Sequence, residues 1–263
     1  MTACRWTPRG PFCPVRAFTA TVSAALVLTV ILGMAAANED KTAPARPVHI
    51  VTLGDSITKG VRSGVTDKQT FAALLDAGLN EFRKLVRVTN VGIGGERTDQ
   101  ALKRLSTVLA LKPDFVTIMY GTNDSAVDRG KKSSRLSSAK YRANLVQIVN
   151  RLKAAGIAPV LMTEPCMGDA QRLNGVDEHP NVSLAKFTNH CRRVAGELDV
   201  PLVDHFRYWT RQNESGIDVG QWTTDQCHPN PKGHRQIAAR ILPTVSFALA
   251  QARIAAKSTE KSQ

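Results

Sequence analysis

Five polar runs in this chain hold the residue types that acyl-transfer chemistry uses. They are Gly54-Asp55-Ser56, NVGIGGERT with Asn90, Gly92, Gly94 and Gly95, GTND at residues 121–124, EPCMGD from Glu164, and TTDQCHPNPKGH at residues 223–234. Nucleophilic acyl transfer needs a hydroxyl, a base to take its proton, a carboxylate to orient the base, and donors for the oxyanion. All four types occur in these runs. Polar, glycine-rich loops are common, so each run alone is weak; the combination carries the argument.

The elements between the runs explain how they would meet. VHIVTL (48–53), VRVTNV (86–91), FVTIMY (115–120), APVLMT (158–163) and PLVDH (201–205) read as strands. Helical spacing of apolar residues predicts helices over 71–85, 100–111, 141–156 and 183–198, with a last one over about 231–256. Regular β–α alternation implies a parallel sheet covered by helices on both faces, because parallel strands need crossover connections. Five strands suit one three-layer α/β/α domain over residues 46–256. Ligands of such sheets bind beyond the carboxyl ends of the strands. Each polar run follows a strand.

In these blocks the chain resembles the SGNH or GDSL hydrolases. Ser56 in GDS matches that family's nucleophile block, Gly95 in IGGERT its glycine block, and Asn123 in GTND its asparagine block. Asp225 and His228 in DQCH match its D-x-x-H block, and the blocks follow in order over residues 54–228. The resemblance implies a flavodoxin-like fold with a five-stranded parallel sheet, a serine ester hydrolase, and no cofactor. In it His228 takes the Ser56 proton and Asp225 orients the imidazole. The backbone N–H groups of Ser56 and Gly95 and the Asn123 amide hold the oxyanion. Plainer uses stand beside these: Ser56 as a helix cap, Gly95 or Gly94 in a tight turn, Asn123-Asp124 as an Asx turn, His228 as loop surface. His234 is a competing base placed in a helix's first turn. His49, His179, His190 and His205 read as structural. No G-x-S-x-G is present, which argues against the α/β-hydrolase elbow.

The N-terminus reads as a secretory signal over 1–37, with Arg5, Arg9 and Arg16 ahead of an apolar run and Ala35-Ala36-Ala37 as a cleavage site. An uncleaved anchor is the alternative, although the run is near the lower length for spanning. Residues 38–45 would be a linker and 257–263 a disordered polar tail. After removal of the signal the protein would be soluble, with no stable membrane insertion, in the periplasm or outside the cell. The full chain's net charge of +13 becomes +10 once the three arginines of residues 1–37 are removed, and still favours anionic partners. The densest basic group, RGKKSSR at 129–135, lacks interleaved aromatics, so no nucleic-acid partner is expected. Of the cysteines that remain, Cys191 faces a helix core, and Cys166 and Cys227, both in loops, are paired as a disulfide. No spacing indicates a metal site.

The substrate is expected to be a small-molecule or glycan ester. Segments 125–138 and 166–182 are polar and longer than minimal connections, so they would rim the cleft. Trp209 and Trp222, with Arg97 and Arg207, would line a sugar-sized site, although core packing explains each tryptophan equally well. A small acyl group on a polar substrate follows. The alternatives are a lysophospholipase or acyl-thioesterase and, in a different class, a catalytically silent carbohydrate-binding module.

Overall fold

Residues Val48–Gly54 (β1), Val86–Asn90 (β2), Phe115–Met119 (β3), Ala158–Thr163 (β4) and Leu202–Asp204 (β5) pair in parallel in the order β2-β1-β3-β4-β5. The computed structural model describes residues 46–81 and 86–260. The signal segment and linker expected at 1–45 lie outside the described residues. Strand alternation divides the core in two. Ile50, Phe115, Met119, Val160 and Met162 face one side, while Val51, Leu53, Val116, Ile118 and Leu161 face the other.

The first side is covered by Phe71–Leu79 (α2), His205–Glu214 (α8) and Pro231–Glu260 (α9); α1 (Ser56–Lys59) contributes Ile57. Thr98–Lys103 (α3), Leu105–Ala110 (α4), Ser138–Ala154 (α6) and Pro180–Glu197 (α7) cover the second. This is the expected three-layer α/β/α sandwich. Thr122–Ser125 (α5) is a single turn directly after β3. Strand order reverses between β1 and β3, so the crevice at their carboxyl ends is where the topology opens a ligand site.

Three differences from expectation have local causes. The helix expected over 100–111 is broken at Arg104, whose guanidinium turns back to the loop after β2. There it donates to both oxygens of buried Glu96 at 2.5 Å and to the Val91 carbonyl at 2.9 Å. Helix α8 had no counterpart in the sequence reading; it forms where Asp204 caps the chain by accepting from Arg207 N at 3.1 Å. The expected tail at 257–263 starts too early, since α9 continues to Glu260. Extension of an existing helix adds one hydrogen bond per residue and needs no new nucleus.

The Glu96–Arg104 pair generates a stability prediction. Glu96 is only 5% exposed and also accepts from the Tyr120 hydroxyl. Arg104→Ala is predicted to destabilise the fold by about 3 kcal/mol, because it strands a buried charge. Urea denaturation checks this; a loss near zero would mean that Tyr120 alone suffices for Glu96.

Candidate active site

The turn out of β1 is built so that no side chain fits at its first position. A Cβ at Gly54 would lie 2.0 Å from Thr58 Oγ1 and 2.6 Å from the Met119 carbonyl. Asp55 then caps α1, its Oδ1 accepting from Ile57 N at 2.9 Å. Ser56 thus opens the helix, half-buried, with its backbone N–H unpartnered among the described residues.

His228 reaches Ser56 from a loop 172 residues further along the chain, with Nε2 3.0 Å from Oγ. Its Nδ1 lies 2.8 Å from Asp225 Oδ2 and 3.1 Å from Oδ1. A carboxylate only accepts, so the proton sits on Nδ1 and the Nε2 lone pair faces the serine. Asp225 Oδ1 also accepts from the backbone N–H groups of His228 at 2.8 Å and Cys227 at 3.2 Å. Gln226 between them takes the left-handed conformation, φ 67, that closes so tight a loop. The Thr223–Pro229 bridge and the bond from Thr224 N to the His228 carbonyl, 2.8 Å, fix the loop ends. Partial burial works against the Asp225 charge, but the His228 N–H, the His228 ring and the Cys227 N–H outweigh it and hold the carboxyl below its usual range. Arg62, which sequence reasoning missed, donates to Asp225 Oδ2 at 2.9 Å.

The other two blocks meet at the same edge. Asn123 lines a cavity of about 330 Å³ together with Ser56 and His228. Its Nδ2 donates to Asp55 Oδ2 at 2.9 Å and to the Glu96 carbonyl at 3.2 Å. Gly95 lies in the exposed turn one residue before that carbonyl; φ 76 suits glycine, and its N–H has no acceptor among the described residues. Asp124 caps a different helix from the one it belongs to, Oδ1 accepting from Thr98 N at 3.0 Å and Thr98 Oγ1 at 2.5 Å. It ties the glycine loop to the asparagine loop.

Comparison with known proteins follows the same blocks. Residues 52–236 match the GDSL-like lipase/acylhydrolase family. The chain belongs to that family. This GDSL-like protein is therefore an ester-hydrolysing enzyme. It is 31% identical over 209 residues to the uncharacterized lipoprotein YqeF of Bacillus subtilis, covering 71% of this chain and 84% of that one. An acetylxylan esterase of Geobacillus stearothermophilus is 24% identical over 220 residues, 78% of this chain and 96% of its own. The solved structure of a lipase/acylhydrolase from Enterococcus faecalis shares the fold, with a TM-score of 0.62 at 24% identity over 76% of this chain and 96% of that one.

Two expectations need correction in this GDSL-like enzyme. The disulfide between Cys166 and Cys227 is not formed; both are buried free thiols, as is Cys191. Cys166 lies beside Thr210 of α8, whereas Cys227 lies near Asp55, Asp225 and Glu164, so the two thiols have different surroundings. Burial, followed by the nearby acids Asp55, Asp225 and Glu164, pushes the Cys227 thiol up and keeps it protonated. The sugar site drawn around Trp209 and Trp222 is also absent. Both rings are buried and pack edge-to-face at 5.0 Å in the core. Arg97 pairs with Asp99, and Arg207 sits on the surface against Asp204. The cavity walls come instead from the segments 125–138 and 166–182. Among the described residues no group of His, Cys, Asp and Glu is placed to hold a metal ion.

Sequence reasoning gave no role to Glu164, the first residue of EPCMGD. It follows β4 and is fully buried, as are Asp55 and Asp124. Burial first, then the nearby Asp55 and Asp124, raises Glu164 well above the usual range, so it keeps its proton, and neither of its oxygens has a hydrogen-bond partner among the described residues. Burial pushes Asp55 up to about 7 against the opposing bonds from Ile57 N–H and Asn123. Asp124, also through burial, rises to about 6. These carboxyls hold protons that the unfolded chain has already released. The sign of their contribution is therefore fixed: it is full below the ordinary aspartate range and is lost as pH rises through about 6 to 7. Asp55→Asn is predicted to flatten that fall. Urea midpoints measured across pH 4.5 to 7.5 test it, and an unchanged slope would show that Asp55 is not one of the groups responsible.

Proposed function

We propose that the mature protein is an exported serine esterase working through a Ser56–His228–Asp225 triad, and that it removes small acyl groups, acetyl first, from polar or carbohydrate esters. The observation that carries this is the unbroken chain Ser56 Oγ to His228 Nε2 to Asp225, with spacings of 3.0 and 2.8 Å. As an ester carbonyl enters, Ser56 Oγ attacks it while His228 Nε2 takes the proton. Asp225 steadies the imidazolium that forms. The oxyanion is held by the Ser56 and Gly95 N–H groups and by the Asn123 proton now shared with the Glu96 carbonyl, the longer of that amide's two bonds. His228 then protonates the departing alkoxide. Water, activated by the same imidazole, hydrolyses the acyl-enzyme and restores Ser56.

The small, partly polar cavity supports a short acyl group. Its walls mix Arg135, Gln171, Arg172 and Asn174 with Ala126, Val127 and Met167, and offer no long apolar slot. Similarity to an acetylxylan esterase points the same way. The basic–apolar–small order of residues 1–37 supports export, with the enzyme domain beginning near residue 46. Likeness to a protein named as a lipoprotein agrees with a place outside the cytoplasm. Among the described residues, no helix is long and apolar enough to cross a membrane.

The mature protein is predicted to hydrolyse p-nitrophenyl acetate and to leave p-nitrophenyl palmitate nearly untouched. Ser56→Ala should lose roughly 10⁴-fold or more in kcat. Preference for palmitate would favour a lysophospholipase or acyl-thioesterase, and full activity in Ser56→Ala would remove the mechanism. For Asn123→Ala the expected loss is roughly 10²–10³-fold in kcat, the scale of one oxyanion donor. Stopped assays with both variants distinguish a donor from a purely structural amide, which would change stability and leave kcat alone.

A further inference from the structure

Two cavities adjoin at the active edge. The first, of about 330 Å³, holds Ser56 and His228; the second, of about 340 Å³, shares Val127, Arg172 and Asn174 with it. No carboxylate lines the first, while two arginines do, and the two differ in one decisive respect. Arg135 is neutralised by Asp128, which it grips through Nε and Nη2 at 2.6 to 3.1 Å. The Arg172 guanidinium is exposed and has no protein partner among the described residues, and it stands at the junction of both cavities, the second of which Asp177 also lines.

That position is built rather than incidental. Asn181 clamps the start of the segment, accepting from Met167 N and donating to the Met167 carbonyl, both at 2.8 Å. Gly168 N donates to the Gln226 carbonyl of the histidine loop at 2.8 Å, and Gly175 N to the Val127 carbonyl across the cleft at 2.9 Å. Arg172 lies between these ties. A guanidinium offers donors in a planar fork that matches a carboxylate or phosphate, and here nothing within the protein satisfies it.

We propose that the physiological substrate is an anionic ester, whose carboxylate or phosphate is taken by Arg172 while its acyl carbonyl lies at Ser56. This rests on the esterase reading above and narrows it from polar esters in general to charged ones. Arg172 becomes the residue that sets specificity.

The test uses matched probes: O-acetylated galacturonate trimer, the same trimer as its neutral methyl ester, and an acetylated sugar phosphate. The wild type should favour the charged trimer over the methyl ester by roughly tenfold or more in kcat/KM at low salt, the scale of one charge-assisted pair. In Arg172→Gln that ratio should fall to near one, and Arg172→Lys should restore part of it. Lys132→Gln, which removes an exposed cation outside both cavities, should keep it; a ratio lost equally there would overturn the local site in favour of overall charge. A wild-type ratio near one, or a ratio unchanged in Arg172→Gln, also overturns the proposal. Calorimetric binding of the unacetylated galacturonate trimer and of its methyl ester to Ser56→Ala repeats the comparison without turnover. Failure of the esterase reading would therefore be seen separately. A stronger response to the sugar phosphate than to the charged trimer assigns the oxyanion as phosphate.

Discussion

A carboxyl group without solvent exposure ties together two strands' ends. Asp55 caps the helix that Ser56 opens and accepts the Asn123 amide. One side chain therefore links the loops after β1 and β3. Its burial is tolerable because each of its oxygens meets an N–H donor in place of water. Remove either bond and the Ser56 helix and the Asn123 amide lose a common anchor. The carboxyl next to the serine thus acts as a brace beneath the reacting groups, and Gly54 keeps the space in which it turns.

The proposed base, His228, arrives on a separate construction. The D-x-x-H loop is short, left-handed at Gln226, and pinned by its own backbone bonds. It is tied through Gly168 to the segment that walls the cleft. Asp225 remains partly open to solvent and shares one oxygen with Arg62. That cation offsets the carboxylate's charge. Parallel strands in the order 2-1-3-4-5 bring the two constructions face to face, at the point where the order reverses.

Much of this could be read from the residues, and the reason is locality. All five strands and the four principal crossover helices follow from apolar periodicity, because a parallel sheet buried on both faces leaves little choice of residue. Ser56, Gly95, Asn123, Asp225 and His228 stand out because each lies in a short polar run after an element's end. What stayed hidden depends on contacts distant in sequence. Glu164 is one acid after β4, with no spacing that reveals its burial against Asp55. Arg62 meets Asp225 across 163 positions. Arg104 breaks a helical pattern for the sake of Glu96, eight residues back. Trp209 and Trp222 show the opposite error: aromatic rings near a catalytic block suggest a sugar platform, yet their size places them in the core. The expected disulfide rested on loop membership alone, which does not say which way a thiol points.

The most direct measurement asks whether Ser56 is the one activated hydroxyl. Treat the protein with an alkyl fluorophosphonate and locate the adduct by peptide mass spectrometry, beside His228→Ala. The account predicts a single adduct on Ser56 in the wild type and roughly none in His228→Ala on the same time scale. An adduct on any other residue, or an unlabelled Ser56 in protein that still hydrolyses esters, would contradict it.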